Sequence, residues 1–437
     1  MEPLLSTLVL ILLALVGANL SFSTEHVPSG PRLLLKTGTH FVLVGFLLGP
    51  AGLELFSSEA LEQLSPLLVL GLGWVGLLFG MQLDRDTLRQ FPRSFHTIAL
   101  VQAVIAFLFF AGVGLLGLEM IGRSTEVTRL MVWGAAATAC LSTPAGIAIV
   151  SSNFLVRGNM RRLLFFVASL DAVVGIIALQ VIYSLLHPTP RSQAFGAVPA
   201  LGWIVVSLGL GTVCGIVFLW LTRKRPDGEE LVLFLMGGAA FAAGAAMQLQ
   251  LSPLFVSVVM GAVVVNLSPG HRRVFRNLER WEKPVYVVLL IMAGAFLRFP
   301  TLWVIPLAAA YVILRVGAKV AGGYIAVKVV PLPFTQPKRL GLGLMPQGGI
   351  SLALAISLML TFRGLDLDGL DAVDTMFSIV LIGVVVSDLA GPFFTTAALR
   401  QAGEISPKVE QALAVGDAEE AQAQALRHVL TSDEEDA

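Results

Sequence analysis

Residues 339–361 read RLGLGLMPQGGISLALAISLMLT, an apolar run that is interrupted by Pro346, Gln347, Gly348 and Gly349. About 20 mostly apolar residues suffice to cross a bilayer as a helix, so the run is long enough to span one. Proline removes a backbone donor, and paired glycines weaken a helix further. The run therefore predicts a discontinuous membrane helix that is broken at these four residues.

A second apolar run, VWGAAATACLSTPAGIAIVSSNF at 132–154, carries Ser142, Thr143 and Pro144 near its middle. Pro144 frees a carbonyl group one turn back, and the two hydroxyl groups can satisfy it or coordinate a cation. A proline kink by itself is common in membrane helices. Two broken helices at corresponding positions of two inverted repeats, however, are typical of a binding site near the membrane midplane.

The composition of the whole chain is that of a membrane protein. It is 56% hydrophobic and 13% charged over 437 residues, with a mean hydropathy of +0.83. The net charge is zero, so no basic face for nucleic acid is indicated. We expect an all-α polytopic protein in the lipid bilayer, with about 13 transmembrane helices. The predicted spans are 4–22, 33–50, 66–83, 95–118, 129–152, 161–186, 198–221, 230–249, 253–267, 283–298, 302–328, 339–361 and 373–399.

Lysine and arginine concentrate in alternate loops. The basic clusters at 85–93, 157–162, 223–225, 272–283 and 338–339 all fall on one side of the predicted membrane. The positive-inside rule then places the N-terminus outside and the C-terminus in the cytoplasm of a multi-pass protein of the cell (inner) membrane. Residues 401–437 turn polar and acidic and are expected to form a short, solvated cytoplasmic tail.

Charged residues inside the spans mark the candidate site. Asp171 lies deep in LLFFVASLDAVVGIIALQ and must be paired, protonated or bound to a cation. Lys319 in the eleventh span is its expected ion-pair partner, whereas Arg315, one turn earlier, either snorkels or caps broken-helix carbonyls. Asp388 and Ser169 are secondary candidates, and Asp388 fits local structure near the cytoplasmic end better than an ion site.

With these features the chain resembles the monovalent cation:proton antiporters, specifically the bacterial branch of sodium:proton and potassium-efflux antiporters. The resemblance runs almost end to end. It rests on six segments in this order: VLVGFLLGPAGLELF, FGMQLDRDTLRQF, LSPLFVSVVMGAVVVNLSP, WEKPVYVVLLIMAGAFLRF, MPQGGISLALA and GPFFTTAALRQAGE.

The resemblance implies a homodimer of inverted-repeat protomers, in which two discontinuous helices cross beside an ion-binding carboxylate. It implies a transport core that moves against a dimerisation domain. The divisions expected are dimerisation helices 1–3 (1–94), core helices 4–6 (95–186), a linker helix 7 (187–229), dimerisation helices 8–10 (230–298), core helices 11–13 (299–400) and the tail (401–437).

The sixth span of this family usually carries an Asp-Asp or Asn-Asp pair. Its second acid is the exchange site, and its first position contacts a basic residue of the eleventh span. In one register Asp171 takes the first position and Ala172 the second, which removes the usual exchange acid. A shift by one residue would instead make Leu170–Asp171 the pair. Gln347 stands where some branches have arginine.

The leading functional hypothesis is alternating-access exchange of Na⁺ or K⁺ for H⁺ at Asp171, with oxygen ligands from Thr143 and Ser142. One alternative is a non-transporting or sensory homologue that keeps Asp171–Lys319 as a structural ion pair. Another is an organic-anion symporter that binds its substrate at half-helix N-termini. No Ser/His/Asp arrangement or metal-ligand spacing occurs, so we expect no enzyme activity, no cofactor and no resident metal.

Overall fold

The computed structural model describes residues 38–185, 200–224, 228–268, 271–300, 302–332, 339–363 and 370–409, together with a few isolated positions elsewhere. Within these ranges all regular elements are helical. The α-helices are α1 His40–Leu48, α2 Ser58–Gln63, α3 Ser65–Met81, α4 Arg85–Leu88, α5 Arg93–Met120, α6 Glu126–Ala139, α7 Pro144–Asn153, α8 Asn159–Leu185, α9 Ala200–Leu221, α10 Gly228–Gln248, α11 Pro253–Leu267, α12 His271–Ala295, α13 Val304–Val329, α14 Leu340–Gly343, α15 Gly349–Arg363 and α16 Leu370–Gln401.

These helices make the protein an all-α, multi-pass membrane protein. Among the described residues, seven helical stretches are long and apolar enough to cross a bilayer, and four shorter apolar helices accompany them. The predicted first span, 4–22, lies almost wholly outside the described residues. The total of thirteen spans therefore stays a prediction.

Helix α12 begins at His271, twelve residues before the predicted span at 283. The sequence signal used for the spans was a continuous apolar run, and residues 271–283 are rich in arginine, lysine and glutamate. Such residues are good helix formers. A membrane helix can therefore begin before the apolar run, and hydropathy alone does not predict the residue at which it starts.

The helices pack in two groups. The scaffold group contains α1, α3, α10, α11 and α12, and its tightest contact is between α3 and α11. A Cβ atom on Gly80 would meet the backbone of Val258, and one on Gly261 would meet the backbone of Leu77. Small residues let membrane helices approach this closely, which compensates for the lack of a hydrophobic driving force in lipid.

The crossing group contains α5 to α8 and α13 to α16. Helix α13 packs along α5, and α8 packs on α5, α6 and α7. Helix α9 lies between the groups and contacts α8, α10 and α11. Both broken helices, α6–α7 and α14–α15, belong to the crossing group, so one packing unit positions the whole candidate site.

The first residues of the predicted tail pack onto the crossing group. Glu404 accepts hydrogen bonds from the backbone N–H groups of Met160 and Arg161 at 2.5 and 2.9 Å, and so caps the start of α8. Ile405 is buried in the adjoining apolar cluster, and Ser406 and Val409 are also buried, whereas Pro407 and Lys408 are exposed. The start of the predicted solvated tail is therefore partly packed against the protein. Most of the remaining tail lies outside the described residues.

Candidate cation site at the helix crossing

The first break separates α6 from α7. Helix α6 ends at Ala139, and Thr143 has an extended backbone with φ −116° and ψ 133°. Thr143 Oγ1 accepts a hydrogen bond from Ala145 N at 3.3 Å, and Pro144 occupies the first turn of α7. Proline fits there because the first helical N–H has no partner within the helix. The STP sequence thus starts a new helix instead of merely bending one.

The second break separates α14 from α15. Helix α14 ends at Gly343, and α15 begins at Gly349. Gly348 between them has φ +72°, a left-handed conformation that a residue with a side chain rarely adopts. Pro346 and Gln347 complete the unwound segment. All four residues predicted to break this helix therefore lie at the break or at its edge.

The two breaks meet. Thr143 N donates a hydrogen bond to Pro346 O at 2.9 Å, and Ser142 Oγ donates to Leu344 O at 3.0 Å. Backbone groups that lose their helical partners at the breaks thus form hydrogen bonds across the crossing. Unpaired backbone groups are too costly in the hydrocarbon core of a bilayer to be left without partners. The predicted crossing of two discontinuous helices is confirmed.

Asp171 and Lys319 form a buried ion pair beside this crossing. Lys319 Nζ lies 2.9 Å from Asp171 Oδ2, and both side chains are fully buried. Lys319 Nζ also donates to Cys140 O at 2.5 Å and to Ser142 Oγ at 2.7 Å. Asp171 Oδ1 accepts from Ser142 N at 3.1 Å. The pair therefore bonds directly to the unwound backbone of the first break.

Arg315 bridges both breaks. Its Nη1 donates to Met345 O at 2.7 Å, and its Nη2 donates to Leu141 O at 2.8 Å. The guanidinium group is buried, with the residue only 1% exposed. Of the two alternatives for Arg315, the structure shows capping of broken-helix carbonyls and no snorkelling.

Asp388 holds the start of α15. Its Oδ1 accepts from Gln347 N at 2.9 Å and from Gly348 N at 3.0 Å, and its Oδ2 accepts from Thr39 Oγ1 at 3.0 Å. An anion at a helix N-terminus is favoured by the N–H groups and the helix dipole there. Asp388 thus belongs to the second break and not to local structure at the cytoplasmic end.

A polar cluster that the sequence did not reveal lies at the crossing. Gln347 Nε2 donates to Thr138 O at 3.0 Å and to Tyr311 Oη at 2.7 Å, and Tyr311 Oη lies 3.1 Å from Thr138 Oγ1. All three residues are buried. The available signal was a polar residue inside each apolar run, at positions 138 and 311.

The contacts of Asp171 bear on the register of the sixth span. Asp171 contacts the basic residue of the eleventh span, as the resemblance implies for the first position of the usual pair. Ala172 is 1% exposed and lies in the apolar cluster formed with Cys140, Leu141 and Ile176. These contacts fit the register with Asp171 first and Ala172 second.

A cleft of about 920 Å³ separates the scaffold and crossing groups next to the site. Ser169 and Leu170 line it, directly before Asp171 in the chain. Ser169 Oγ donates to Phe165 O at 2.8 Å, so the hydroxyl faces its own helix. Ser169 therefore lines the approach to Asp171, and the structure shows no hydrogen bond between the two. The other lining residues are Met81, Gln82, Leu83, Asp84, Thr87, Leu88, Phe91, Phe165, Phe166, Val265, Phe275 and Arg276.

Among the described residues, no group of three or more His, Cys, Asp or Glu side chains could hold a metal. The ligands beside Asp171 are hydroxyl and carbonyl oxygens, which suit a hard cation.

Comparison with known proteins agrees with this architecture. The chain resembles the sodium proton antiporter MjNhaP1 from Methanocaldococcus jannaschii at pH 8, with a TM-score of 0.70 and 15% identity over 92% of this chain and 100% of that one. A structure of MjNhaP1 from an electron-microscopy map gives a TM-score of 0.63 and 16% identity, over 93% and 100% of the two chains. No curated protein matches by sequence.

At these identities the two structures establish the fold only. The family model described as "Sodium/hydrogen exchanger, transmembrane" matches residues 5–401, nearly the whole chain. That family consists of cation:proton exchangers and not of enzymes. The chain belongs to the transmembrane sodium/hydrogen exchanger family.

Proposed function

We propose that the protein exchanges Na⁺ or K⁺ for H⁺ by alternating access, with Asp171 as the cation-binding carboxylate. The observation that carries the proposal is the fully buried Asp171–Lys319 pair bonded to an unwound helix. An ionisable pair is expensive at this depth and is retained in membrane proteins mainly for function. Lipid-exposed unwound backbone would also be unstable unless it lined a protein site.

Cation and proton compete for the same pair in this proposal. With Lys319 protonated, its ammonium group neutralises Asp171. A cation that binds Asp171 takes over this neutralisation, so Lys319 can release its proton. Movement of Lys319 would free Cys140 O and Ser142 Oγ, and Thr143 Oγ1 lies on the next residue; all three are oxygen ligands for the cation.

Two observations support alternating access. The cleft separates the scaffold and crossing groups near Asp84 and Arg276, at the helix ends that the positive-inside rule assigns to the cytoplasm. Towards the opposite ends of the helices the groups are joined, because Ser252 Oγ at the start of α11 lies 3.3 Å from Ser357 Oγ of α15. The arrangement corresponds to a protein open to the cytoplasm.

The remaining parts of the proposal concern the assembly. Segments 95–186 and 299–400 would move as the transport core, and 1–94 and 230–298 would form the dimerisation domain of a homodimer. The protein would lie in the cell (inner) membrane with its N-terminus outside and its C-terminus in the cytoplasm. The separate packing of the scaffold and crossing groups supports this division.

A structural ion pair without transport is the second candidate. Two observations favour it: Ala172 packs in an apolar cluster, which fits the register that places it at the usual second-acid position, and Lys319 Nζ already makes three contacts within the protein. Organic-anion symport has less support, because Asp388 already places a negative charge at the N-terminus of α15.

Transport in proteoliposomes separates the two candidates. Substituting Asp171→Asn should lower ΔpH-coupled Na⁺ or K⁺ flux at least tenfold, since losing a hydrogen-bonded charge removes about 1.5–3 kcal/mol of binding energy. The matched control is Asp374→Asn, which alters a carboxylate near Arg298 at the helix periphery and should preserve the flux. Full exchange by Asp171→Asn would refute the role of Asp171. Wild-type protein that is folded but gives no flux with either cation would favour the structural ion pair.

A further inference from the structure

We call the cleft of about 920 Å³ next to Asp171 the transport cleft. A second cleft, of about 800 Å³, shares Leu83, Leu88 and Phe91 with it but has a more basic lining. Its lining residues are Leu83, Arg85, Leu88, Arg89, Phe91, Arg93, His96 and Asn266. It therefore collects three arginines and a histidine, and none of its lining residues carries a carboxylate. We call this second cleft the basic cleft.

The three arginines of the basic cleft take part in no ion pair within the described part of the chain. Arg85, Arg89 and Arg93 are all exposed. Arginine presents several donors in a planar fork that matches phosphate oxygens. A cluster of this kind, without carboxylates, favours an anion with several oxygen acceptors.

The walls of the basic cleft are fixed in place. Asn266 Oδ1 accepts from Arg85 N at 3.0 Å, and Asn266 Nδ2 donates to Leu83 O at 3.1 Å, which ties α11 to the start of α4. Asp84 caps α4 by accepting hydrogen bonds from the backbone N–H groups of Asp86 and Thr87, each at 3.3 Å. The short helix α4, which carries Arg85, is thus fixed by a backbone hydrogen bond to Asn266 and by the N-cap residue Asp84.

We propose that the basic cleft binds a phosphate-bearing anion, with the head group of an anionic phospholipid as the favoured source. The cleft lies where the membrane helix α3 ends and α5 begins, and Leu83, Leu88 and Phe91 give it an apolar wall for the lipid backbone. Basic residues at the cytoplasmic surface attract anionic lipids by about 1 kcal/mol each. The same three apolar residues also line the transport cleft, so an occupant sits at the edge of the ion entrance.

Lipid binding to purified full-length protein tests the proposal without relying on transport. Thermal stability in detergent is measured with added phosphatidylglycerol, phosphatidylcholine or inorganic phosphate. The test variant is Arg89→Gln/Arg93→Gln, and the matched control is Arg157→Gln/Arg162→Gln, which removes two exposed arginines outside the cleft. Phosphatidylglycerol should stabilise the wild type and the control, and its apparent affinity should fall about fivefold for each cleft arginine removed.

The comparison between ligands identifies the source of the phosphate. Stabilisation by inorganic phosphate that the cleft variant abolishes would support the same site with a soluble ligand. Equal phosphatidylglycerol binding by the cleft variant and the wild type would overturn the proposal, as would no response of the wild type to either anion. Melting temperatures of the two variants without ligand verify that both are folded.

Discussion

Buried charges at the crossing bind backbone as well as one another. Lys319 and Arg315 both donate to carbonyl groups that have no helical partner because of the breaks. Asp388 accepts from N–H groups of the second break. A single pair of opposite charges would leave these polar groups unsatisfied in a dry interior. The side chains that provide the candidate chemistry therefore also hold the unwound backbone together.

Arg315 gives the sharpest test of this dual role. The substitution Arg315→Lys keeps the charge, but one ammonium group cannot reproduce the planar fork that reaches Met345 O and Leu141 O together. We expect the variant to lose about 1.5–3 kcal/mol of stability and most of its exchange rate. Thermal unfolding in detergent and flux in proteoliposomes measure the two effects.

The control for Arg315→Lys is Arg157→Lys at an exposed position, which should change neither quantity. An Arg315→Lys variant as stable and as active as the wild type would show that one contact suffices to hold the breaks.

The sequence allowed the partners Asp171 and Lys319 to be predicted, because isolated charges in apolar runs have few possible counter-charges. It did not reveal that Asp388 caps α15 or that Thr138, Tyr311 and Gln347 form one cluster. Those contacts depend on how α6, α13, α15 and α16 pack, and Thr138, Tyr311 and Asp388 are each, taken alone, ordinary polar positions in helices.

Helix interruptions are the elements that shape the site. Proline marked both interruptions in the sequence, and paired glycines marked the second, since their backbone effects are local. The exact ends were less predictable, as the early start of α12 and the capping of α8 by Glu404 show. The start of α12 and the capping of α8 both involve polar residues, which a hydropathy profile assigns to loops.

Gly348 tests the importance of the second break. In Gly348→Ala, the alanine would have to adopt the left-handed backbone conformation of Gly348, and its methyl group would clash with the side chain of Thr143. We expect a loss of about 1–3 kcal/mol of stability from backbone strain alone, together with slower exchange, because the methyl group would push the two breaks apart. Thermal unfolding and proteoliposome flux report both.

Gly112→Ala provides the matched control. Gly112 lies within α5, and a methyl group there would meet nothing within 4 Å. Alanine is the better helix former, so this variant should be at least as stable as the wild type. If Gly348→Ala behaved like Gly112→Ala, the crossing would tolerate a wider separation of its two breaks than the contacts imply.

In the part of the chain that the structure describes, four buried charged residues surround one crossing: Asp171, Asp388, Arg315 and Lys319. Their formal charges sum to zero when all four are ionised. The division into scaffold and crossing groups could be predicted only from the family resemblance. The sequence of one span does not indicate which other helices it packs against. The charge balance, in contrast, follows from the contacts themselves.

This balance has a consequence for the energy source of the proposed exchange. If Lys319 releases one proton for each cation bound at Asp171, the crossing is electrically neutral in both loaded states. The membrane potential, which acts with about 2.3 kcal/mol per charge for each 100 mV, then does no work on either half of the cycle. We expect Na⁺-driven proton flux to be the same at zero and at inside-negative voltage, set with a gradient of a lipophilic ion. A rate that rises severalfold with voltage would reveal net charge movement, whereas a constant rate would mean that concentration gradients alone drive the protein.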